Sequence, residues 1–189
     1  LEILVEVSGR HVHLCKKDIN ILFGEDDSLS MKKELSQPGQ YLCNQRVNIV
    51  GPKGEMKNVG IIGPERKETQ VEISLTDARK LGIDAPVRLS GKLENSPGCK
   101  LVGPKGSVDL ERGVIASRRH IHLNNEGNLQ LKLEDKQSVK VKIKTKDRSL
   151  IFDDVIVRIS DSFKPAFHID TDEANAAGVK GETYGEIII

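Results

Sequence analysis

At 189 residues the chain is long enough to bury a real core, in one large domain or two small ones. Its 29 basic and 28 acidic residues nearly cancel to a formal charge of +1, which gives no electrostatic footing for nucleic acid or a membrane surface. With no tryptophan, two tyrosines and four phenylalanines it offers no base-stacking platform, and no apolar run reaches the roughly 18–20 residues of a bilayer-spanning helix.

The first predicted strand covers residues 2–7 and runs into Arg10-His11-Val12-His13-Leu14. In an extended chain residues i and i+2 share a face, so His11 and His13 present two imidazoles side by side. Ile19, Leu22 and Phe23 form a short apolar helical stripe after Cys15, stopped by Gly24. Cys15, Cys43 and Cys99 have no CxxC spacing, so neither a zinc ribbon nor a disulfide framework is expected, and a reducing intracellular setting is the simpler reading.

A strand over residues 46–50 meets Gly51-Pro52-Lys53-Gly54, which recurs as Gly103-Pro104-Lys105-Gly106. Both lead into strands rather than helices, so they read as hairpin turns and not as phosphate-cradling loops. Arg66 follows Gly63-Pro64, just ahead of a strand at residues 69–75; spacing alone reads it as a solvated turn arginine, while its place ahead of Glu72 also sets it to hold an anion through its planar fork, with Lys33 and Lys67 as weaker cases. Residues 76–81 read as a helix with Thr76 as its cap and Gly82 as its stop, and residues 85–90 as another strand.

The histidine motif then returns as Arg119-His120-Ile121-His122-Leu123. Val139, Val141 and Ile143 alternate with Lys140, Lys142 and Lys144, a half-buried strand at residues 139–145 whose lysine row reads as solvated and able to protect an edge, with a grip on an anionic ligand as the alternative. Strands at 150–159 and 184–189 and a helix over 172–177, ending at Gly178, complete the pattern. Many short strands and few short helices favour small barrels over a doubly wound sheet.

The two halves are related. Glu72-Ile73-Ser74-Leu75 and the residues after it align without a gap beneath His168-Ile169-Asp170-Thr171, matching Ile73 to Ile169, Ala78 to Ala174 and Gly82 to Gly178. Glu72 therefore stands where His168, the fifth histidine, stands. Each half supplies a His-x-His pair and one later ligand-type residue. Two histidines with a glutamate, and three histidines, are both first shells of catalytic zinc, although imidazole suits other late divalent metals.

The runs Val7-Ser8-Gly9-Arg10-His11-Val12-His13-Leu14, Leu35-Ser36-Gln37-Pro38-Gly39, Gly63-Pro64-Glu65-Arg66, Thr69-Gln70-Val71-Glu72-Ile73-Ser74, Arg119-His120-Ile121-His122 and His168-Ile169-Asp170-Thr171-Asp172-Glu173-Ala174-Asn175 together resemble the PduL-type phosphotransacylases, also called phosphate propanoyltransferases. The resemblance extends from Val5 to about Gly178. It implies a mainly β fold of two six-stranded β-barrels capped by short α-helices and related by internal duplication. One barrel would comprise residues 1–9 plus 118–189, the other residues 10–117.

It also implies two zinc ions per active site, one on His11, His13 and Glu72, the other on His120, His122 and His168. The implied reaction interconverts acyl-CoA, propionyl or acetyl, plus phosphate with acyl phosphate plus CoA. Arg66 falls on the family's phosphate-contacting arginine, and Ser8, Lys33, Arg158 and Asn175 fall where CoA contacts are expected. A homodimer is implied, working in the bacterial cytoplasm or in the lumen of a bacterial microcompartment that degrades propanediol. The chain starts at Leu1 rather than methionine, which is compatible with removal of a preceding segment.

Two departures stand out. Cys15 occupies a position where the family carries Ser or Thr, a poorer helix cap at a cost of about 1 kcal/mol. Gly60 stands where a basic residue is common, which puts one CoA-phosphate contact in doubt. The residues alone also admit a dinuclear zinc hydrolase acting on a thioester or amide, and a nonenzymatic module with structural metal.

Overall fold

Val139, Val141 and Ile143 point into a core while Lys140 and Lys144 remain exposed, as the two-residue period of strand Ser138–Ile143 requires. This computed structural model describes residues 2–189 and is mainly β, with few short helices. Its chain forms two units: strand Glu2–Ser8 with Arg118–Ile189, and Arg10–Ser117. Among the described residues no helix is long and apolar enough to cross a membrane.

The first unit contains a closed six-stranded barrel. Its order is Glu2–Ser8, Ala166–Asp170, His120–Leu123, Leu150–Ile159, Ser138–Ile143 and Tyr184–Ile188, which pairs back with Glu2–Ser8. Val5, Ile121, Leu123, Val157, Phe167 and Ile169 fill it, each such side chain contributing about 1.5–3 kcal/mol by burial. Closure leaves strand Ser138–Ile143 with a partner on each side, so its lysines guard no edge. They form exposed rungs instead, Lys140 to Asp153 at 3.2 Å and Lys144 to Glu186 at 3.6 Å.

The second unit is a curled nine-stranded sheet rather than a closed six-stranded barrel. The reason lies in one long strand, Tyr41–Val50. Beyond its pairing with Glu55–Gly63, its other edge is shared: Met31–Glu34 takes one end and Cys99–Val102 the other. Cys99–Val102 then pairs onward with Ser107–Leu110, while the far side of the sheet ends at the two-residue strand Val87–Arg88. Val12, Leu14, Ile49, Ile61, Val71 and Leu101 make its core.

The strand ahead of each histidine pair crosses to the other unit. Glu2–Ser8 precedes His11 yet pairs in parallel with Ala166–Asp170, and Val114–Ser117 precedes His120 yet pairs in parallel with Gln70–Glu72. The duplication is thus interlocked.

Helix boundaries shift from expectation for reasons of capping. Helix Leu75–Leu81 is capped by Ser74, not Thr76, because the Ser74 hydroxyl accepts the Asp77 N–H at 3.1 Å; this cuts the preceding strand back to Gln70–Glu72. Helix Thr171–Ala177 starts from Asp170, whose carboxylate and that of Glu173 form a reciprocal capping box. Cys15 gives helix Lys16–Phe23 no side-chain cap. Buried Thr69 compensates: its hydroxyl accepts the Cys15 N–H at 3.0 Å and donates to Asp18.

Both Gly-Pro-Lys-Gly segments are hairpin turns, closed by Gly51 N–H to Gly54 O and Gly103 N–H to Gly106 O at 2.9 Å each. Each also caps a helix end, Lys53 N–H donating to Leu81 O and Lys105 N–H to Leu22 O at 3.0 Å.

Candidate metal centres

Adjacent strands bring the ligand-type residues into rows. Antiparallel pairing sets His11 opposite Glu72 in one unit and His120 opposite His168 in the other, so each third residue joins the face already carrying its histidine pair. His11, His13 and Glu72 are buried and converge with ligand atoms within 4.8 Å of one another; His120, His122 and His168 do the same. Among the described residues no fourth His, Cys, Asp or Glu joins either group.

In the first group Glu72 faces one imidazole with each oxygen. Its Oε2 lies 3.6 Å from His11 Nε2 and its Oε1 3.6 Å from His13 Nε2. That is too long for a hydrogen bond. It does match the separation of about 3.3 Å expected between ligands that share one tetrahedral zinc. His13 Nδ1 is 3.1 Å from the Ile62 carbonyl and donates to it, leaving Nε2 free as a ligand. Burial pushes the His13 imidazole down, helped by His11 and Arg66 against the pull of Glu72, which favours the neutral ring that metal binding demands. Burial would raise the Glu72 carboxyl, but His11 and His13 outweigh it and hold it well below the usual range.

Arg66 is tied to this group by side chains the sequence did not single out. Its Nη1 donates to Ser90 Oγ at 3.0 Å. Ser90 Oγ also accepts from Gln70 Nε2 at 2.9 Å, and the same Nε2 donates to Glu72 Oε1. Gly91 N–H donates to Gln70 Oε1 at 2.7 Å, which fixes the amide in that sense. Gln70 shares a face with Glu72 two residues on, a signal present in the alternation; Ser90 sits beyond strand Val87–Arg88 and has no such signature. The Arg66 N–H also donates to Leu14 O at 2.8 Å, anchoring the residue beside the end of the first histidine motif.

In the second group His120 Nδ1 lies 2.9 Å from Arg118 O and His168 Nδ1 3.6 Å from Glu6 Oε2. The three rings stand 4.6–5.0 Å apart, centroid to centroid. Both ring nitrogens of His122 are buried without a hydrogen-bond partner, its ring stacked on Phe163 at 4.0 Å. Burial pushes its pKa down to about 2, with His120, His168 and Arg158 adding to the effect. A buried, neutral, unpartnered imidazole is costly by itself and is satisfied by a cation. The donor sets therefore fit zinc at both groups.

The remaining candidates are spread. Arg158 pairs in register with His122, and its guanidinium lies 5.6 Å from the Phe163 ring centroid. Half-buried Ser8 ends strand Glu2–Ser8 beside Asp170, and exposed Asn175 lies on helix Thr171–Ala177. Exposed Lys33 sits on Met31–Glu34 in the second unit, and Lys67 is exposed beyond Arg66. Gly60 neighbours His11 on strand Glu55–Gly63.

Residues 4–180, which include both groups, match the family model described as phosphate propanoyltransferase. The chain belongs to the phosphate propanoyltransferase family. A phosphate propanoyltransferase of Thermotoga maritima is 53% identical over 175 residues, covering 93% of this chain and 83% of that one. Those of Enterococcus faecalis and Clostridioides difficile are 51% and 50% identical over 184 residues, each covering 97% of this chain and 87% or 88% of their own. In this member of the phosphate propanoyltransferases, the two three-residue groups are joined to different supports: an amide and a serine in one unit, a carboxylate and an aromatic ring in the other.

Proposed function

We propose that the chain is a phosphate acyltransferase, interconverting propionyl-CoA or acetyl-CoA plus phosphate with acyl phosphate plus CoA. The observation that carries this reading is the linkage of Arg66, through Ser90 and Gln70, to a three-ligand group in a family named for phosphate acyl transfer. One zinc would be held by His11, His13 and Glu72 and a second by His120, His122 and His168. When bound, zinc supplies Lewis acidity and a soft partner for a thiolate.

Arg66 holds a phosphate oxygen through its fork and offsets the charge that opposes approach to the thioester. A phosphate oxygen forms the new bond to the acyl carbonyl carbon, the carbon–sulfur bond breaks, and CoA departs as thiolate. No side-chain nucleophile is required, so transfer is direct. Ser8, Arg158, Asn175 and Lys33 contact CoA in this reading. The protein acts as a homodimer in the bacterial cytoplasm or a microcompartment lumen.

Release of CoA from propionyl-CoA by purified, zinc-loaded protein, measured with and without phosphate, tests the assignment. Release that depends on phosphate and yields propionyl phosphate is expected. Release at the same rate in water alone makes the protein a zinc hydrolase instead. A covalently acylated protein recovered after incubation with propionyl-CoA contradicts direct transfer.

A further inference from the structure

The internal repeat permits a residue-by-residue comparison of the two rows. In the second unit the row reads Ile115, Glu72, His11, Gly60 across four neighbouring strands. In the barrel it reads Glu6, His168, His120, Ile156. Glu6 and Ile115 hold equivalent places, each five residues before the first histidine of its motif. Where the third ligand-type residue is a carboxylate, its neighbour is a fully buried isoleucine; where it is an imidazole, its neighbour is a glutamate. Each row thus carries one carboxylate. A glutamate in place of Ile115 would set two carboxylates side by side, and an isoleucine in place of Glu6 would leave His168 Nδ1 without its anionic partner.

Glu6 Oε2 lies 3.6 Å from His168 Nδ1, and both side chains are largely buried, at 22% and 12% exposure. With Nδ1 turned to Glu6, Nε2 is the atom offered to the group. His120 is oriented in the same sense by the Arg118 carbonyl.

We propose that Glu6 is the positioning residue of the second metal group. Facing His168 Nδ1 at 3.6 Å, beyond direct hydrogen-bond length, its carboxylate favours the ring orientation and tautomer that keep the proton on Nδ1, and lends an otherwise neutral three-imidazole site the negative charge that Glu72 gives the first. It does so from a strand that enters the barrel from the other side of the duplication. This rests on the reading that the group binds zinc.

The test is a chelator-competition titration of zinc on the purified chain, with melting of the metal-free protein as a fold control. Wild type is expected to bind two zinc ions and H168A one. E6I, which installs the residue of the equivalent place, should weaken one zinc by about 10–100-fold and leave the other unchanged. E6Q keeps an acceptor and should lose less. If E6I does not fold, E6Q decides alone: selective weakening of one zinc supports the assignment. Two zincs bound as in wild type by the folded variants overturn the role of Glu6 alone. Wild type that binds no zinc through His168 overturns the metal reading itself.

Discussion

Arg10 is forked onto Asp77, its Nε and Nη2 each 2.8 Å from a different carboxylate oxygen. The pairing, though not the fork, recurs in the repeat, where Arg119 Nη1 donates to Glu173 at 3.0 Å and its Nε turns to the Asp153 carbonyl. Each arginine directly precedes a histidine pair, and each acid lies in the first turn of the helix that follows the third ligand-type residue. The bridge therefore staples the strand bearing two ligand-type residues to the element that follows the third.

Asp77 is almost fully buried, so D77A removes a buried acceptor of charged donors and should cost about 1.5–3 kcal/mol. Urea denaturation measures this. The same variant should loosen zinc at the first group and spare the second, which chelator titration reads. Equal loss at both groups would rule out a local staple.

Substituting a ligand should remove one metal and not both. H13A and H122A are each expected to bind one zinc per chain instead of two by elemental analysis, and to lose phosphate-dependent CoA release by orders of magnitude. Retention of two ions by either variant would remove that histidine from the ligand set.

The metal groups were open to sequence reading because a strand's period puts His11 with His13 and His120 with His122, and because the repeat aligns Glu72 with His168. Their supports were not. Glu6 reaches His168 only through a strand pairing between opposite ends of the chain, which no local pattern announces. Ser74 and Thr76 are both plausible caps by composition; the Asp77 N–H, three residues beyond Ser74, decides between them. The open second sheet was likewise hidden, since the shared edge of Tyr41–Val50 depends on Met31–Glu34 and Cys99–Val102 arriving from distant parts of the chain.

Arg66 should act on phosphate rather than on the thioester. R66A is expected to raise KM for phosphate at least about tenfold while leaving KM for propionyl-CoA near wild type, and R66K to recover only part, since ammonium lacks the planar fork. Steady-state kinetics with each substrate varied in turn separates these outcomes. A parallel rise in both KM values would assign Arg66 to general site integrity.

The hairpin glycines make a stability prediction independent of metal. A Cβ at Gly51 would collide with the Leu81 carbonyl oxygen, against backbone that cannot yield cheaply. G51A should therefore displace the turn from the helix end it caps and cost about 1–3 kcal/mol. A Cβ at Gly9 meets nothing within 4 Å, so G9A should fall within about 0.5 kcal/mol of wild type. Thermal melts of the two variants decide it.

Acid should destabilise the metal-free protein, and the sign follows from the buried imidazoles. Burial and its charged neighbours bring His122 down to about 2, and His13 is lowered as well. The same rings in the unfolded chain titrate near about 6.5. Above that pH neither state binds the proton, and these groups give no pH dependence. As the pH falls below about 6.5 the unfolded chain takes up protons that the folded chain refuses, so stability declines progressively toward the folded value of His122. Glu72 acts in the same direction at lower pH, because its depressed carboxyl stabilises the fold only while ionised. Burial raises the Asp170 carboxyl to about 6 and so opposes the loss from the imidazoles below that pH; the test is therefore the difference, and urea midpoints of chelated H122N should fall less than those of wild type between roughly pH 6.5 and pH 5. Midpoints that fall equally in wild type and H122N would mean that the His122 ring takes up protons as freely in the folded protein as in water.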